Sequence, residues 1–152
     1  VIAPHVVSDS HLKEILDKVK RPCIRYTEAT EENVTQADCL IIDCYGLLSS
    51  IYRYGEISYI GGGFGVGIHN VLEAAVYGIP VIFGPNNKKF REAQHLLEQK
   101  GGFEVTGYDD FKRLMDKFLS DEAYLQQAGK AAGNYVNHNA GALEKIMKDI
   151  TL

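Results

Sequence analysis

The sequence has few cysteines, no long apolar run and no surplus of positive charge. The three cysteines, Cys23, Cys39 and Cys44, are odd in number and lack a CxxC spacing, which argues against a disulfide framework and against a zinc site. No apolar run approaches the roughly 20 residues that a membrane-spanning helix needs. Lys and Arg number 16 and Asp and Glu number 20, so the formal charge is −4. A nucleic-acid partner is therefore not expected, because binding to the phosphate backbone requires a basic surface.

The chain does contain enough apolar side chains for one core. Its 152 residues are 45% hydrophobic and 24% charged, which is the composition of a soluble globular domain. This length is typical of one domain, so we expect residues 1–152 to form a single domain. Because the sequence opens without Met on an apolar run typical of a core strand, we expect it to be a fragment of a longer protein.

Short apolar runs alternate with amphipathic stretches along the whole chain. Strands are predicted over 1–3, 23–26, 37–43, 57–60, 80–83 and 103–105. Helices are predicted over 11–20, 46–54, 69–77, 88–100, 108–119, 121–136 and 141–150. Helices between strands indicate βαβ units, because parallel strands need long crossovers. The sequence therefore predicts an α/β fold, a doubly wound parallel sheet with a helical C-terminal tail.

The stretch 61–67 is the most informative part of the sequence. Five glycines fall within seven residues between a predicted strand and a predicted helix, where they leave backbone N–H groups unshielded. Ligands of open parallel sheets bind beyond the carboxyl ends of strands, and the positive end of a helix attracts anions. We therefore predict a phosphate site here, the alternative being a merely flexible connection. The spacing does not match G-x-x-x-x-G-K-[ST], and it fits G-x-G-x-x-G poorly.

Polar side chains beyond this loop add to the prediction. Asn70 and Glu73 are spaced i, i+3, and a carboxylate in this place is suited to accept two ribose hydroxyls. The alternative is a first-turn Glu favoured only by the helix dipole. Lys88, Lys89 and Arg91 form either a solvated face or a contact to a carboxylate on the ligand. The five histidines show no i, i+4 pair, so no metal site is expected.

The segment that follows the glycines resembles a known family. Residues 62–75, Gly-Gly-Phe-Gly-Val-Gly-Ile-His-Asn-Val-Leu-Glu-Ala-Ala, and 78–86, Gly-Ile-Pro-Val-Ile-Phe-Gly-Pro-Asn, are similar to the 3-deoxy-D-manno-octulosonic acid (Kdo) transferases. Those enzymes carry a G-G-S … G-G-H-N-x-L-E-P/A-A … G-x-P-V-x-x-G-P pattern. Residues 43–46 resemble their D-T-x-G, and 87–94 resemble their N-F-x-D/E-I. Their A-P-R-H corresponds to 3–5, where the Arg is absent and either His5 or another basic group replaces it.

The resemblance implies a GT-B glycosyltransferase, in which two Rossmann-like domains face each other across a cleft. This chain matches the C-terminal, donor-binding domain. The implied reaction moves Kdo from CMP-Kdo to a lipid A precursor in lipopolysaccharide biosynthesis, at the cytoplasmic face of the bacterial inner membrane and without a metal or cofactor. The catalytic base is expected in the N-terminal domain, so we expect no catalytic residue in this chain and no activity from it alone. In this fold the last helix often crosses back to the first domain, so we expect 141–152 to do so.

The residues expected to contact the donor lie at the predicted carboxyl ends of strands or just beyond them. They are His5, Gly46, Gly62, Gly63, Gly65, Gly67, His69, Asn70 and Glu73. Two other functions remain open. One is a GT-B transferase or an epimerase that uses a UDP-sugar, and the other is a non-catalytic module that senses nucleotides or binds a protein.

Overall fold

The computed structural model describes residues 1–141 and Met147. The chain divides into two compact units, Val1–Ile51 and Tyr52–Leu152, and each contains a parallel sheet. The expectation of a single domain over 1–152 stays a prediction. The helix predicted over 141–150 and its expected return to another domain lie outside the described residues, apart from Gly141 and Met147.

The sheet of the first unit is built around β2 (Cys39–Ile41). On one side β2 pairs in parallel with β1 (Cys23–Arg25), and Cys23 lies opposite Cys39. On the other side Ile2 forms a single parallel bridge to Ile41. The strand predicted over 1–3 is therefore reduced to one residue pair, because Pro4 has no N–H with which to extend the ladder.

One helix, α1 (Asp9–Lys18), lies between Ile2 and β1 in the chain. Ser8 caps it, and the Ser8 hydroxyl accepts a hydrogen bond from the backbone N–H of His11 at 3.3 Å. Leu12 is its buried residue. The predicted helix over 11–20 is therefore confirmed with a shift of two residues toward the N-terminus.

The sheet of the second unit contains β3 (Ser58–Ile60), β4 (Val81–Phe83) and β5 (Gly102–Glu104) in chain order. Both strand pairs are parallel, and β4 is the central strand. All three residues of β4 are fully buried, with 0% exposure. A strand covered on both faces is apolar at every position, which explains why 80–83 has no polar alternation.

Helices cover both faces of this second sheet. They are α3 (Leu72–Ala75), α4 (Arg91–Glu98), α5 (Tyr108–Ser120) and α6 (Glu122–Asn139). One core combines Val81 and Phe83 with residues of α3, α4 and α6, whereas Ile82 belongs to a second core with residues of α5 and α6. The helices α3 and α4, which connect β3 to β4 and β4 to β5, pack against the same core. This is expected because the strands follow one another in chain order and crossovers of the same handedness lie on the same face of the sheet. The predicted α/β class, with parallel strands and a C-terminal helix, is confirmed.

Three predicted helices are shorter than expected. The helix predicted over 46–54 is α2 (Leu48–Ile51) followed by a 3-10 turn, and the one over 88–100 is α4. The helix predicted over 69–77 begins only at α3, since Ile68 forms a bridge to Gly62 in the hairpin that precedes it. Gly78 then ends this segment with φ of +70°.

Substitutions of two neighbouring residues of α5 test the packing of the second core. Phe118 is 1% exposed and packs with its ring centroid 5.1 Å from Phe103 and 5.5 Å from Tyr124, whereas Leu119 is 76% exposed. We expect Phe118→Ala to lower the free energy of unfolding by about 3–5 kcal/mol, because it leaves a cavity. Leu119→Ala should change it by less than about 0.5 kcal/mol. Denaturant unfolding measures both, and equal losses would contradict the described packing.

Candidate functional site

A buried carboxylate joins the two strand ends of the first unit. The Asp43 side chain is 1% exposed and lies just beyond β2. It accepts hydrogen bonds from Arg25 Nε at 2.9 Å, from Thr27 N at 3.0 Å and from Thr27 Oγ1 at 2.5 Å. Because Arg25 ends β1 and Thr27 follows it, Asp43 holds together the carboxyl ends of both strands.

These contacts also set the ionisation of Asp43. Burial raises the pKa of this carboxyl, but the hydrogen bonds from Thr27 and Arg25 favour the charged form and outweigh burial. The pKa of Asp43 therefore lies below its ordinary value. The carboxylate is charged at neutral pH and stabilises the first unit in that form.

Two predicted donor contacts, His5 and Gly46, belong to this first unit. Gly46 follows Asp43 closely and has φ of +90°, a left-handed conformation that favours glycine. His5 is exposed in the segment after Ile2. The Tyr45 hydroxyl accepts a hydrogen bond from the backbone N–H of Val7 at 3.4 Å, so the segments that carry His5 and Gly46 are in contact.

The glycine-rich stretch of the second unit folds as a narrow hairpin. Gly63 N donates to Val66 O at 2.9 Å, and His69 N donates to Gly61 O at 3.1 Å. Backbone hydrogen bonds therefore define the shape of the loop after β3. Glycines in this loop are therefore needed for its shape, whether or not they also contact a ligand.

Gly63 shows why glycine is needed. Its φ is +83°, and a Cβ built on it would lie 2.8 Å from Gly84 Cα and 2.9 Å from Ile68 Cγ2. Gly63 is buried, so it supports the loop and offers no surface to a ligand. Gly65, in contrast, lies exposed at the tip, and a Cβ built there would meet no described atom within 4 Å.

The turn after β4 fastens this hairpin. Asn86 N donates to Gly63 O at 2.9 Å, and Asn86 Nδ2 donates to Gly65 O at 3.1 Å. The loops at the carboxyl ends of β3 and β4 are thereby joined. Sequence analysis missed this role of Asn86, although an Asn in a Gly-Pro-Asn-Asn turn beyond a predicted strand was a signal for it.

A buried amide continues this network to β5. Asn87 is 1% exposed. Its Nδ2 donates to Gly84 O at 3.0 Å and to Glu104 Oε2 at 2.7 Å. Its Oδ1 accepts from Gln94 Nε2 at 2.6 Å. Asn86 and Asn87 together tie the ends of all three strands of the second sheet, and Asn87 was also missed by sequence analysis.

The predicted pair of Asn70 and Glu73 is present. Asn70 Nδ2 donates to Glu73 Oε1 at 3.0 Å, and Asn70 Oδ1 accepts from the backbone N–H of Leu72 at 3.0 Å. Asn70 therefore orients the half-buried Glu73 carboxylate and caps the start of α3. The charge of Glu73 also adds to the effect of burial in raising the pKa of Tyr52.

One expectation about this region is wrong. The sequence predicts that the loop leads into a helix over 69–77 whose positive end attracts an anion, but α3 comprises only the four residues Leu72–Ala75. A single turn has few aligned peptide dipoles, so its contribution is small. An anion near Gly65 would depend on loop amides and on cationic side chains instead.

Of the nine predicted contacts, seven lie in the segment that runs from the end of β3 into α3. They are Gly62, Gly63, Gly65, Gly67, His69, Asn70 and Glu73. The exposed members that can offer polar atoms are the Gly65 backbone and the side chains of His69 and Asn70, with the half-buried Glu73 beside them. His69 lies against Gly61, where a built Cβ would be 3.4 Å from its Cδ2 atom. Their assignment to donor binding stays a prediction.

The described part of the chain contains no group of three His, Cys, Asp or Glu residues that could hold a metal ion. Within residues 1–141, none of the helices is long and apolar enough to cross a membrane.

The hydrogen bonds and the ionisation of Asp43 can be tested by measuring stability as a function of pH. We expect Asp43→Asn to lower the free energy of unfolding at neutral pH by about 1–3 kcal/mol, because hydrogen bonds to a charged group are lost. The folded-state pKa lies below the unfolded value of about 3.9, so this stabilisation is present above that pH and is lost as the pH falls. The difference between wild type and variant should therefore shrink in acid.

The matched control is Asp38→Asn. Asp38 is 56% exposed and pairs with Arg21 at 3.7 Å. We expect this variant to lose less than about 1 kcal/mol. Denaturant unfolding from pH 7 down to pH 3 measures both, and a pH-independent loss at Asp43 would contradict the proposed ionisation.

Comparisons with known proteins come from sequence and from structure. No family model matches the chain. Several curated proteins that do match are named 3-deoxy-D-manno-octulosonic acid transferase. The protein from Aquifex aeolicus is 37% identical over 87 residues, which are 56% of this chain and 25% of that protein. The protein from Rickettsia felis is 28% identical over 149 residues, which are 92% of this chain and 31% of that protein.

A solved structure has the same fold. The C-terminal CMP-Kdo binding domain of WaaA from Acinetobacter baumannii matches with a TM-score of 0.72 and 17% sequence identity, covering 84% of this chain and 67% of that one. The chain spans about a quarter to a third of the curated relatives named above. The chain is therefore similar in sequence to one part of the proteins named 3-deoxy-D-manno-octulosonic acid transferase, and it shares the fold of the Acinetobacter baumannii domain.

Proposed function

We propose that this chain is the donor-binding part of an enzyme that transfers Kdo from CMP-Kdo. One observation carries the proposal, namely the glycine hairpin at the carboxyl end of β3 followed directly by the hydrogen-bonded pair of Asn70 and Glu73. It supports the proposal because nucleotides bind beyond the carboxyl ends of parallel strands. A family whose relatives are named Kdo transferases supplies the identity of the sugar.

The hairpin tip suits the phosphate of the donor. Gly65 is exposed and has no Cβ, so its backbone can approach a phosphate oxygen closely. When CMP leaves, negative charge develops on its phosphate, and N–H groups already held in place stabilise that charge without reorganisation. The hydrogen bonds from Asn86 to the loop supply this rigidity.

The Glu73 carboxylate suits the ribose. A carboxylate accepts hydrogen bonds from two adjacent hydroxyl groups, and the Asn70 amide holds one of its oxygens in place. His69 and the exposed cations Lys88, Lys89 and Arg91 provide positive or polar groups in the same unit. They replace the helix dipole that the single turn of α3 does not supply.

The rest of the reaction belongs to a longer enzyme. We infer from the family resemblance that an N-terminal domain holds a lipid A precursor and the catalytic base, and that the enzyme works in lipopolysaccharide biosynthesis at the cytoplasmic face of the inner membrane. The same resemblance implies that transfer needs no bound metal or other cofactor.

Calorimetry with CMP, CDP and UDP tests the donor. We expect CMP to bind with a Kd of about 0.1–1 mM, because one side of the cleft alone leaves the phosphate open to water and salt. CDP and UDP should bind more weakly. Tighter binding of UDP would favour a transferase or epimerase that uses a UDP-sugar. Equal binding of all three, or none, would contradict the CMP assignment and leave a non-catalytic module as the alternative.

Glu73→Gln tests the ribose contact. The variant keeps the shape of the side chain and an oxygen for Asn70, but it removes the charge. We expect CMP binding to weaken by about 1–3 kcal/mol, the scale of a hydrogen bond to a charged group. Glu98→Gln, at the exposed end of α4, is the control and should leave binding unchanged. NMR shift titration measures both, and equal affinities for CMP would refute the role of Glu73.

The division of labour between domains gives a further prediction. The chain alone should transfer no Kdo from CMP-Kdo, because it offers neither acceptor nor base. The full-length enzyme should transfer Kdo at the same rate with and without a metal chelator. Transfer by the chain alone, binding of CMP below about 1 μM, or loss of full-length activity on chelation would each contradict this account.

A further inference from the structure

Two of the three cysteines face each other across the sheet of the first unit. β1 and β2 pair in parallel, and their register places Cys23 directly opposite Cys39. Residues in register on neighbouring strands point to the same face of a sheet, so both thiols project from one face. Cys44 differs, since it lies beyond the end of β2 near Asp43.

The spacing of the strands suits a covalent bond between these residues. Neighbouring strands lie about 4.7–4.9 Å apart, and disulfides join residues whose Cα atoms are about 4.4–6.8 Å apart. Both cysteines are free thiols of intermediate exposure, so small reagents can reach them. The Cys23 thiol donates a hydrogen bond to Arg21 O at 3.2 Å, which holds it at the edge of the sheet.

The two thiols also affect each other. Burial raises the pKa of Cys39, and the charge and hydrogen bonding of Cys23 raise it further. Cys39 therefore stays protonated at neutral pH. Cys39 is therefore less ready to attack an external oxidant, and it can resolve an intermediate formed at its neighbour Cys23.

We propose that Cys23 and Cys39 form a site of reversible oxidation, which a small disulfide such as oxidised glutathione converts to an intramolecular disulfide. The Cys23 thiolate attacks one glutathione sulfur, and one glutathione thiolate leaves. Cys39 then loses its proton and attacks the Cys23 sulfur, and the second glutathione leaves. Two cysteine thiols are oxidised, and one glutathione disulfide is reduced to two thiols.

The bond would close the polar segment between the two strands. It joins the amino ends of β1 and β2, whereas Asp43 joins their carboxyl ends through Arg25 and Thr27. A cross-link that closes such a loop restricts the unfolded chain, so the oxidised protein should unfold at a higher temperature. His5 and Gly46 lie at the opposite end of the strands, so this effect is separate from donor binding.

Peptide mapping tests the proposal on the full chain without any substitution. The protein is incubated with excess oxidised glutathione, its free thiols are blocked with N-ethylmaleimide, and it is cut on the amino side of Asp. The three cysteines then fall in separate peptides, 17–37, 38–42 and 43–108. We expect peptides 17–37 and 38–42 to be joined with a loss of about 2 Da, the two thiol hydrogens, and Cys44 to carry the blocking group.

Variants add an independent measurement. Oxidation should raise Tm in the wild type and in Cys44→Ser, and a reducing agent should reverse the change. Cys23→Ser and Cys39→Ser should show no such shift. A disulfide that includes Cys44, glutathione adducts that do not resolve, or thiols that stay fully reduced in the wild type would each overturn the proposal.

Discussion

The buried amide of Asn87 is the contact on which the candidate site depends. A buried amide without partners costs about 1–3 kcal/mol, so the chain around it is arranged to supply them. Gly84, Gln94 and Glu104 do so, and they lie in the turn after β4, in α4 and at the end of β5. With Asn87 fixed, its neighbour Asn86 is held where it can fasten the glycine hairpin. The loop that carries the predicted phosphate contact is thus held by the sheet beneath it.

Both units fasten their strand ends with a buried polar side chain. In the first unit it is the Asp43 carboxylate, which receives hydrogen bonds from Arg25 and Thr27, and in the second it is the Asn87 amide. Residues predicted to bind the donor lie in the loop of Asp43, which contains Gly46, and in the glycine hairpin that Asn86, the neighbour of Asn87, contacts. Rigid loops lose less conformational entropy on binding than mobile ones, so this construction favours a ligand site.

The glycines of the hairpin are needed because the backbone is tightly packed there, and not because the loop must be mobile. Gly63 and Gly84 approach so closely that a side chain on either would overlap the other, whereas Gly65 at the tip has open space above it. The crowded glycines maintain the fold of the loop, whereas the open position of Gly65 is accessible to a ligand. Because α3 is a single turn, the proposed anion site would depend on loop amides and on exposed cations such as Lys88 and Lys89.

The sequence alone determined the α/β fold class, the approximate positions of strands β1 to β5 and the resemblance to the Kdo transferases. Strands that are buried on both faces are apolar at every position, so the apolar run over 80–83 predicted the central strand. Only the tertiary structure decided the hairpin, the one-turn helix α3, the partners of Asn87 and the pairing of Cys23 with Cys39. The periodicity of apolar residues shows which side of a helix or strand is buried, but it does not show which distant residue that side contacts. Glu104 lies 17 positions from Asn87 and Arg25 lies 18 from Asp43, so these contacts follow from strand register and loop geometry.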